Sequence, residues 1–158
     1  MSTCFFIGHR EAPDSLYGPL SDAVEQHIAE YGVTEFFVGG YGRFDALAAR
    51  CVIEAKKRHP RVTLTLLLPY HPQERPVALP DGFDGTFYPP GMETVPRRAA
   101  IIRANRYMAD HCAFLIAYAQ HPAGNAYALA AHAQSRAQKG LLQLTKLQSA
   151  APDQDKLE

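Results

Sequence analysis

The sequence lacks a long hydrophobic run and lacks an excess of either charge. Its 158 residues include 16 Lys and Arg and 16 Asp and Glu, so the formal net charge at pH 7 is zero. No apolar stretch approaches the roughly 20 residues of a membrane-spanning helix, and residues 1–3 lead directly into an apolar segment without a signal peptide. These absences argue against a membrane partner and against broad, nonspecific nucleic-acid binding, and they favour a cytoplasmic protein.

The sequence is also poor in cysteine. Its three cysteines, Cys4, Cys51 and Cys112, are far apart and form no C-x-x-C pair. We therefore expect buried reduced thiols, with neither a disulfide framework nor a zinc site. The histidines show no metal-ligand spacing, and no serine lies in a G-x-S-x-G motif. We expect no metal, no required cofactor and no covalent nucleophile.

Short apolar runs alternate with segments of helical periodicity along the chain. The pattern predicts strands over residues 4–7, 35–38, 62–68, 112–117 and 141–147, and helices over 17–31, 43–59, 92–110 and 125–139. The strands show no polar alternation, which is typical of a parallel sheet covered by helices on both faces. The expected fold class is therefore α/β, a Rossmann-like three-layer α/β/α sandwich with a mainly parallel sheet of about five strands.

The length of the chain favours one domain. We expect this domain to cover residues 1–147, followed by a polar, disordered tail over 148–158. Residues 69–90 are rich in proline and predict a long irregular connection with one short strand near 86–88. A connection of this length is usually functional or mobile.

A glycine turn follows the second predicted strand. Gly39, Gly40 and Gly42 separate that strand from the next helix. Glycine lets the backbone approach a phosphate closely, and the start of a helix offers unpaired N–H groups and the positive end of the dipole. The spacing G-G-x-G is neither the dinucleotide fingerprint nor a P-loop, so it predicts a phosphate-binding turn without naming a cofactor.

Further candidates follow the first and fourth predicted strands. Gly8, His9 and Arg10 offer a small residue and two hydrogen-bond donors, and the alternative is a turn whose side chains face water. Gly124 and Asn125 open the fourth helix and form a weaker phosphate turn. Carboxyl ends of parallel strands meet at one edge of a sheet, so we expect these residues to converge with the glycine turn.

Three residues at the second helix each allow two interpretations. Asp45 lies in its first turn, either as a partner of the helix dipole or as a carboxylate for a ribose hydroxyl or a water. Tyr41 and Phe44 allow two interpretations as well: they contact a base or a ribose, or they belong to the core.

The third helix carries several arginines. Arg103 and Arg106 are three residues apart and share one face, next to Asn105, and Arg97 and Arg98 precede them. A solvated basic face is one interpretation, and bidentate recognition of a phosphate by these arginines is the other.

Several segments resemble a known family. Residues 4–10, C-F-F-I-G-H-R, resemble the C-F-x-G-H-R start of small bacterial YpsA-type proteins, and residues 42–49, G-R-F-D-A-L-A-A, resemble their G-x-x-D-x-x-A-A turn. Residues 105–110 and 124–126 are similar to their R-N-x-x-M-x-x-x-S-D and G-G-T segments. These proteins belong to the SLOG superfamily, with the DprA/Smf DNA-processing proteins and the LOG phosphoribohydrolases. The resemblance spans about residues 3–144 and implies a Rossmann-like domain that binds a nucleotide or nucleotide-derived ligand, often as a homodimer.

The resemblance leaves the activity open. LOG hydrolases carry P-G-G-x-G-T-x-x-E with a catalytic glutamate, whereas residues 122–129 here read P-A-G-N-A-Y-A-L and contain no glutamate. We favour a sensor or carrier of ADP-ribose, NAD or a mononucleotide, with the three glycines on the phosphate and Asp45 on the ribose. The alternative is a LOG-like hydrolase of a nucleoside monophosphate, with Asp45 as the catalytic carboxylate and Arg10 or Arg106 on the phosphate.

The charge and the residue pattern also argue against nucleic acid as a partner. The net charge is zero, and the sequence shows no basic stripe interleaved with aromatic residues.

Overall fold

The computed structural model describes residues 2–122 and 124–148. Ala123, which falls at the first glycine of the P-G-G segment of LOG hydrolases, lies outside the described residues. Residues 149–158 of the expected disordered tail lie outside them as well.

Within the described residues, six strands form one parallel sheet. They are β1 (Ser2–Gly8), β2 (Val33–Val38), β3 (Thr63–Leu67), β4 (Gly85–Phe87), β5 (Phe114–Tyr118) and β6 (Gln143–Lys146). Their order is β4-β3-β2-β1-β5-β6, and every neighbouring pair is parallel. The predicted α/β class is confirmed, and the sheet exceeds five strands because the short segment at the end of the long connection pairs with β3.

Helices cover both faces of the sheet. The four described α-helices are α1 (Tyr17–Ala29), α2 (Arg43–Lys56), α3 (Ala100–His111) and α4 (Asn125–Gln138). Side chains of β1 alternate between the faces, so Phe6 packs in the core beneath α1 and α2 while Phe5 packs beneath α3 and α4. None of these described helices has both the length and the apolar character needed to cross a bilayer.

The helix predicted over residues 92–110 is wrong in its first half. Two 3-10 turns, Met92–Thr94 and Arg97–Ala99, precede α3. Pro96 separates them, and Val95 before it is extended, with φ −85° and ψ 129°. Proline has no N–H and disfavours a helical conformation in the residue before it, which explains the break.

The strand order reverses between β1 and β5. From β1 the chain builds outward through β2, β3 and β4, and it then returns to place β5 on the other side of β1. Loops that leave β1 and β5 therefore diverge to opposite faces and open a crevice at the carboxyl ends of these strands. Ligands of open α/β sheets bind in this kind of crevice.

Candidate functional site

A cavity of about 540 Å³ lies at the crevice between the ends of β1 and β5. Its volume falls within the range of small-molecule sites, roughly 300–1,000 Å³. Nine of the residues predicted for the site line its wall: Gly8, His9, Arg10, Tyr41, Asp45, Asn105, Arg106, Gly124 and Asn125. The structure thus brings together the strand ends that sequence reasoning expected to converge.

Four predicted residues do not line this wall: Gly39, Gly40, Gly42 and Phe44. Phe44 is fully buried, and its ring stacks on Tyr118 with 6.2 Å between the centroids. The interpretation of Phe44 as a wall for a base or ribose is therefore corrected, and it belongs to the core.

The glycine turn before α2 is filled by the protein itself. The main-chain N–H of Arg43 donates to the carbonyl of Arg10 at 2.7 Å, and the N–H of Tyr41 donates to Oδ2 of Asp45 at 3.1 Å. A Cβ on Gly42, whose φ is +130°, would lie 2.8 Å from the Cα of Arg10. Close packing against Arg10 thus accounts for Gly42, and the predicted phosphate grip at the start of α2 is corrected.

The start of α4 is open instead. Gly124 caps this helix with φ +107°, and apart from its two neighbours in the chain no described residue has an atom within 4 Å of the position that its Cβ would occupy. Gly124, Asn125 and Ala126 line the cavity, so the first turn of α4 borders it. The positive end of a helix dipole favours an anion at this position.

Four arginines also line the cavity: Arg10, Arg98, Arg103 and Arg106. Arg10, Arg98 and Arg103 are exposed, and none of them forms an ion pair with a described carboxylate. Nε of Arg106 lies 3.7 Å from Oδ2 of Asp110. Sequence reasoning noted Arg98 and Arg103 but did not assign them to the site. The spacing of three between Arg103 and Arg106 is the signal that could have placed Arg103 there.

Asp45 is the acidic residue of the cavity wall within the described part of the chain. Burial raises the pKa of its carboxyl from an ordinary 3.8 to about 6, and the hydrogen bond from the N–H of Tyr41 opposes that shift. At neutral pH the carboxylate is mostly ionised and can accept hydrogen bonds from hydroxyl groups, and in mild acid it takes up a proton.

His9 joins two loops across the crevice. Its Nε2 accepts a hydrogen bond from the main-chain N–H of His121 at 3.0 Å. Burial and the neighbouring His121 lower the pKa of His9, which favours the neutral ring. With Nε2 as acceptor, the proton of the neutral ring is on Nδ1, so His9 is a neutral donor beside the cavity.

A carboxylate–histidine pair joins α3 to α4 at the same cavity. Nε2 of His132 lies 2.6 Å from Oδ1 of Asp110, and the guanidinium of Arg136 donates to the carbonyl of Asp110 at 2.8 Å. His132 lines the cavity and is not among the site residues predicted from the sequence. The single carboxylate of Asp110 therefore faces His132, Arg106 and the Nε of Arg136, which lies 4.0 Å from Oδ1.

A second cavity of similar volume, about 540 Å³, lies between β5, α4 and β6. Its wall carries alanines, glutamines, Tyr127, Leu147 and one charged side chain, Lys146. It lies away from the crevice and offers little to recognise an anion. The cavity at the crevice is therefore the candidate site.

No protein-family model matches the sequence, and no curated protein sequence matches it. Among solved structures, the fold is similar to that of DNA processing protein A from Helicobacter pylori, in a structure concerned with single-stranded DNA binding by that protein. The TM-score is 0.49 and the sequence identity is 14%, over 90% of this chain and 74% of that one. The likeness concerns the fold, and the finer resemblance to YpsA-type proteins stays a prediction.

One expectation is corrected by this comparison. The sequence suggested that nucleic acid is an unlikely partner, whereas the structurally similar protein is described by its binding of single-stranded DNA. The exclusion of nucleic acid is therefore withdrawn. The expected homodimer stays a prediction.

Proposed function

We propose that this protein binds a nucleotide-derived anion, such as ADP-ribose, NAD or a mononucleotide, in the cavity at the crevice, as a sensor or carrier. One observation carries the proposal. Arg10, Arg98 and Arg103 have no partner among the described carboxylates, and together with the open first turn of α4 they border one cavity. A phosphate there receives bidentate hydrogen bonds from guanidinium groups and main-chain N–H groups from the helix.

The rest of the wall suits a nucleoside. The ionised carboxylate of Asp45 can accept hydrogen bonds from ribose hydroxyls, and the partly buried ring of Tyr41 offers an apolar surface to the base. Neutral His9 adds a donor without adding charge. The wall of the cavity thus combines arginines for the phosphate with a single carboxylate for the ribose.

Thermal unfolding with AMP, ADP-ribose and NAD tests the proposal. A ligand that binds only the folded state raises the melting temperature, and an excess of about 100 times Kd stabilises by about 2.7 kcal/mol. Arg103→Gln should abolish most of the shift. Arg61→Gln, which changes an exposed arginine before β3 at the opposite edge of the sheet, should retain it. If no nucleotide at millimolar concentration shifts the transition, the proposal is wrong.

Asp45 also favours a second candidate function, hydrolysis of the N-glycosidic bond of a nucleoside monophosphate. A carboxylate beside the ribose can stabilise an oxocarbenium-like transition state, with the phosphate held by Arg10 or Arg106. Release of free adenine from AMP by the purified protein, lost in Asp45→Asn, would support this function. Binding without release would leave a sensor or carrier.

A further inference from the structure

Aromatic residues follow three neighbouring strands at the carboxyl edge of the sheet. Tyr41 comes after β2, Tyr70 after β3 and Tyr88 after β4, and these strands are adjacent in the order β4-β3-β2. Neighbouring strands lie about 4.8 Å apart, so the three residues form a row that leads away from the cavity wall, where Tyr41 lies.

Two arginines contact the middle ring of this row. Cζ of Arg75 lies 4.5 Å from the ring centroid of Tyr70, and Cζ of Arg97 lies 5.6 Å from it. We call Tyr70, Arg75 and Arg97 the Tyr70 shelf. The charge of Arg75 also reaches Tyr41: burial and Tyr70 raise the pKa of Tyr41, and Arg75 lowers it. The shelf is therefore next to the residue of the row that lines the cavity.

The shelf carries positive charge without an internal counterion. Neither Arg75 nor Arg97 forms an ion pair with a described carboxylate, and both are exposed. Two guanidinium groups at one ring repel each other, and a bound anion relieves this repulsion. Nucleobases stack on tyrosine rings and on guanidinium planes alike. The shelf can therefore stack on a base and bind the attached phosphate through its guanidinium groups.

We propose that the ligand contains two nucleobases joined through phosphate, with one nucleotide in the cavity and the base of the second on the Tyr70 shelf. This inference rests on the proposed function, because it assigns the first nucleotide to the same cavity. Such a ligand is either a pyrophosphate-linked dinucleotide or a short single-stranded oligonucleotide.

The row limits the length of the ligand. At its far end the ring centroid of His71 lies 5.2 Å from that of Tyr88, and the main-chain N–H of Glu74 donates to the carbonyl of His71 at 2.9 Å, so Glu74 lies at this end. Desolvation, followed by the charges of Glu93 and Glu74, also raises the pKa of Tyr88. Carboxylates at this end repel the phosphate of a third nucleotide. Two units therefore fill the basic part of the row.

Titration calorimetry with AMP, NAD, the 3′–5′-linked dinucleotide pApA and the tetranucleotide of the same series tests the inference. At least one of the two dinucleotides should bind about tenfold more tightly than AMP, since stacking of one base on an aromatic residue is worth about that factor or more. The dinucleotide that binds more tightly than AMP shows whether the two nucleotides of the ligand are joined by a pyrophosphate or by a 3′–5′ phosphodiester. The tetranucleotide should bind less than about threefold more tightly than pApA.

Variants of the Tyr70 shelf test whether the higher affinity for the dinucleotide comes from this shelf. Tyr70→Ala should remove the advantage of the dinucleotide and leave the affinity for AMP unchanged, and Tyr70→Phe should retain the advantage. Arg75→Gln should reduce it several-fold. Arg50→Gln is the matched control, because Arg50 stacks on Tyr17, with 5.1 Å between Cζ and the ring centroid, on the α1–α2 face of the molecule.

The possible failures are distinguishable. If AMP binds and both dinucleotides bind no more tightly, the shelf is not a base site, and the proposed function stands. If AMP and both dinucleotides fail to bind, the proposed function and the inference are both overturned. An affinity that keeps rising about tenfold per added nucleotide overturns the limit of two units.

Discussion

The ring of Phe44 occupies the space that a side chain on Gly8 would need. A Cβ on Gly8 would overlap the ring atoms of Phe44 and would lie 2.7 Å from the Cβ of Phe44. Gly8 is the last residue of β1, and Phe44 is fully buried beneath it in the first turn of α2. This contact sets the distance between β1 and α2 at the edge of the candidate site.

We expect Gly8→Ala to lower the free energy of unfolding by roughly 3 kcal/mol, because the added methyl group overpacks the core against Phe44. In a Phe44→Ala background the same change should cost at least about 1 kcal/mol less, since the ring is gone while the Cβ remains. Urea unfolding of the four proteins in this double-mutant cycle measures the coupling.

Gly18→Ala is the control for this cycle. Gly18 lies in α1, and no atom lies within 4 Å of its Cβ position. Alanine there should change the free energy of unfolding by less than about 1 kcal/mol, because the gain in helix propensity is opposed by Pro19, which disfavours a helical conformation in a preceding residue that carries a Cβ. Absence of coupling between positions 8 and 44 would contradict the close packing described above.

The two exposed glycines of the turn before α2 should respond differently to alanine. Gly42→Ala should cost roughly 3 kcal/mol, because φ is +130° and the Cβ would lie 2.8 Å from the Cα of Arg10. Gly40→Ala should cost less than about 1 kcal/mol, since its nearest neighbour is Cδ1 of Leu66 at an ordinary 3.6 Å. Urea unfolding without nucleotide measures both. Equal costs would show that packing against Arg10 does not explain Gly42.

The architecture could be predicted because the sequence signals for strands and helices are local. Continuous apolar runs marked the strands, and helical periodicity marked the four helices, so the parallel sheet followed from their alternation. The helix break before α3 was not predicted, although Pro96 is a sequence signal for it. The apolar and arginine-rich pattern around Pro96 suits a helix, and the restriction that proline places on Val95 outweighs it.

The convergence of the strand ends could be predicted from the sequence, and the interpretation of the glycine turn was wrong. Strand order decided which loops meet, and this brought Gly8, Asp45 and Gly124 to one cavity. Glycines at a helix start indicate close approach of some group, and sequence alone does not tell a phosphate from a neighbouring main chain. The carbonyl of Arg10 is that group here. The Tyr70 shelf was missed because Tyr70, Arg75 and Arg97 are scattered in sequence and meet only in the fold.

Removal of the carboxylate of Asp110 should change stability and anion binding in opposite directions. Asp110→Asn weakens the contacts of this side chain with His132, Arg136 and Arg106 and should cost about 1–2 kcal/mol of stability. It also releases Arg106 and makes the cavity more positive, so AMP should bind several-fold more tightly. Urea unfolding and calorimetry measure the two effects.

Glu30→Gln is the control for Asp110→Asn, because it removes one negative charge from an exposed residue at the end of α1. It should leave both stability and AMP affinity nearly unchanged. Weaker AMP binding in Asp110→Asn would indicate that Arg106 needs Asp110 to hold it in place, and would contradict the prediction.

Asp45 should make the protein less stable as the pH rises from about 4 to about 6. Its pKa is about 6 in the folded state, against an ordinary value of 3.8, so between these values the folded state binds more protons than the unfolded state. The free energy of unfolding then falls with rising pH, and the loss is complete above the folded pKa. A shift of about two units corresponds to a loss of at most roughly 3 kcal/mol.

Asp45→Asn removes this titration and still offers an oxygen to the N–H of Tyr41. Relative to the wild type, the variant should gain roughly 2–3 kcal/mol of stability between about pH 4 and about pH 7.5, as urea unfolding at both values would show. Asp22→Asn, at an exposed position of α1, should show no such change with pH. A stability difference between Asp45→Asn and wild type that stays constant with pH would mean that the carboxylate of Asp45 is not destabilised by burial. It would then lose its role as the titrating group of the cavity wall, and any acid–base or ribose-binding behaviour near pH 6 would need another residue.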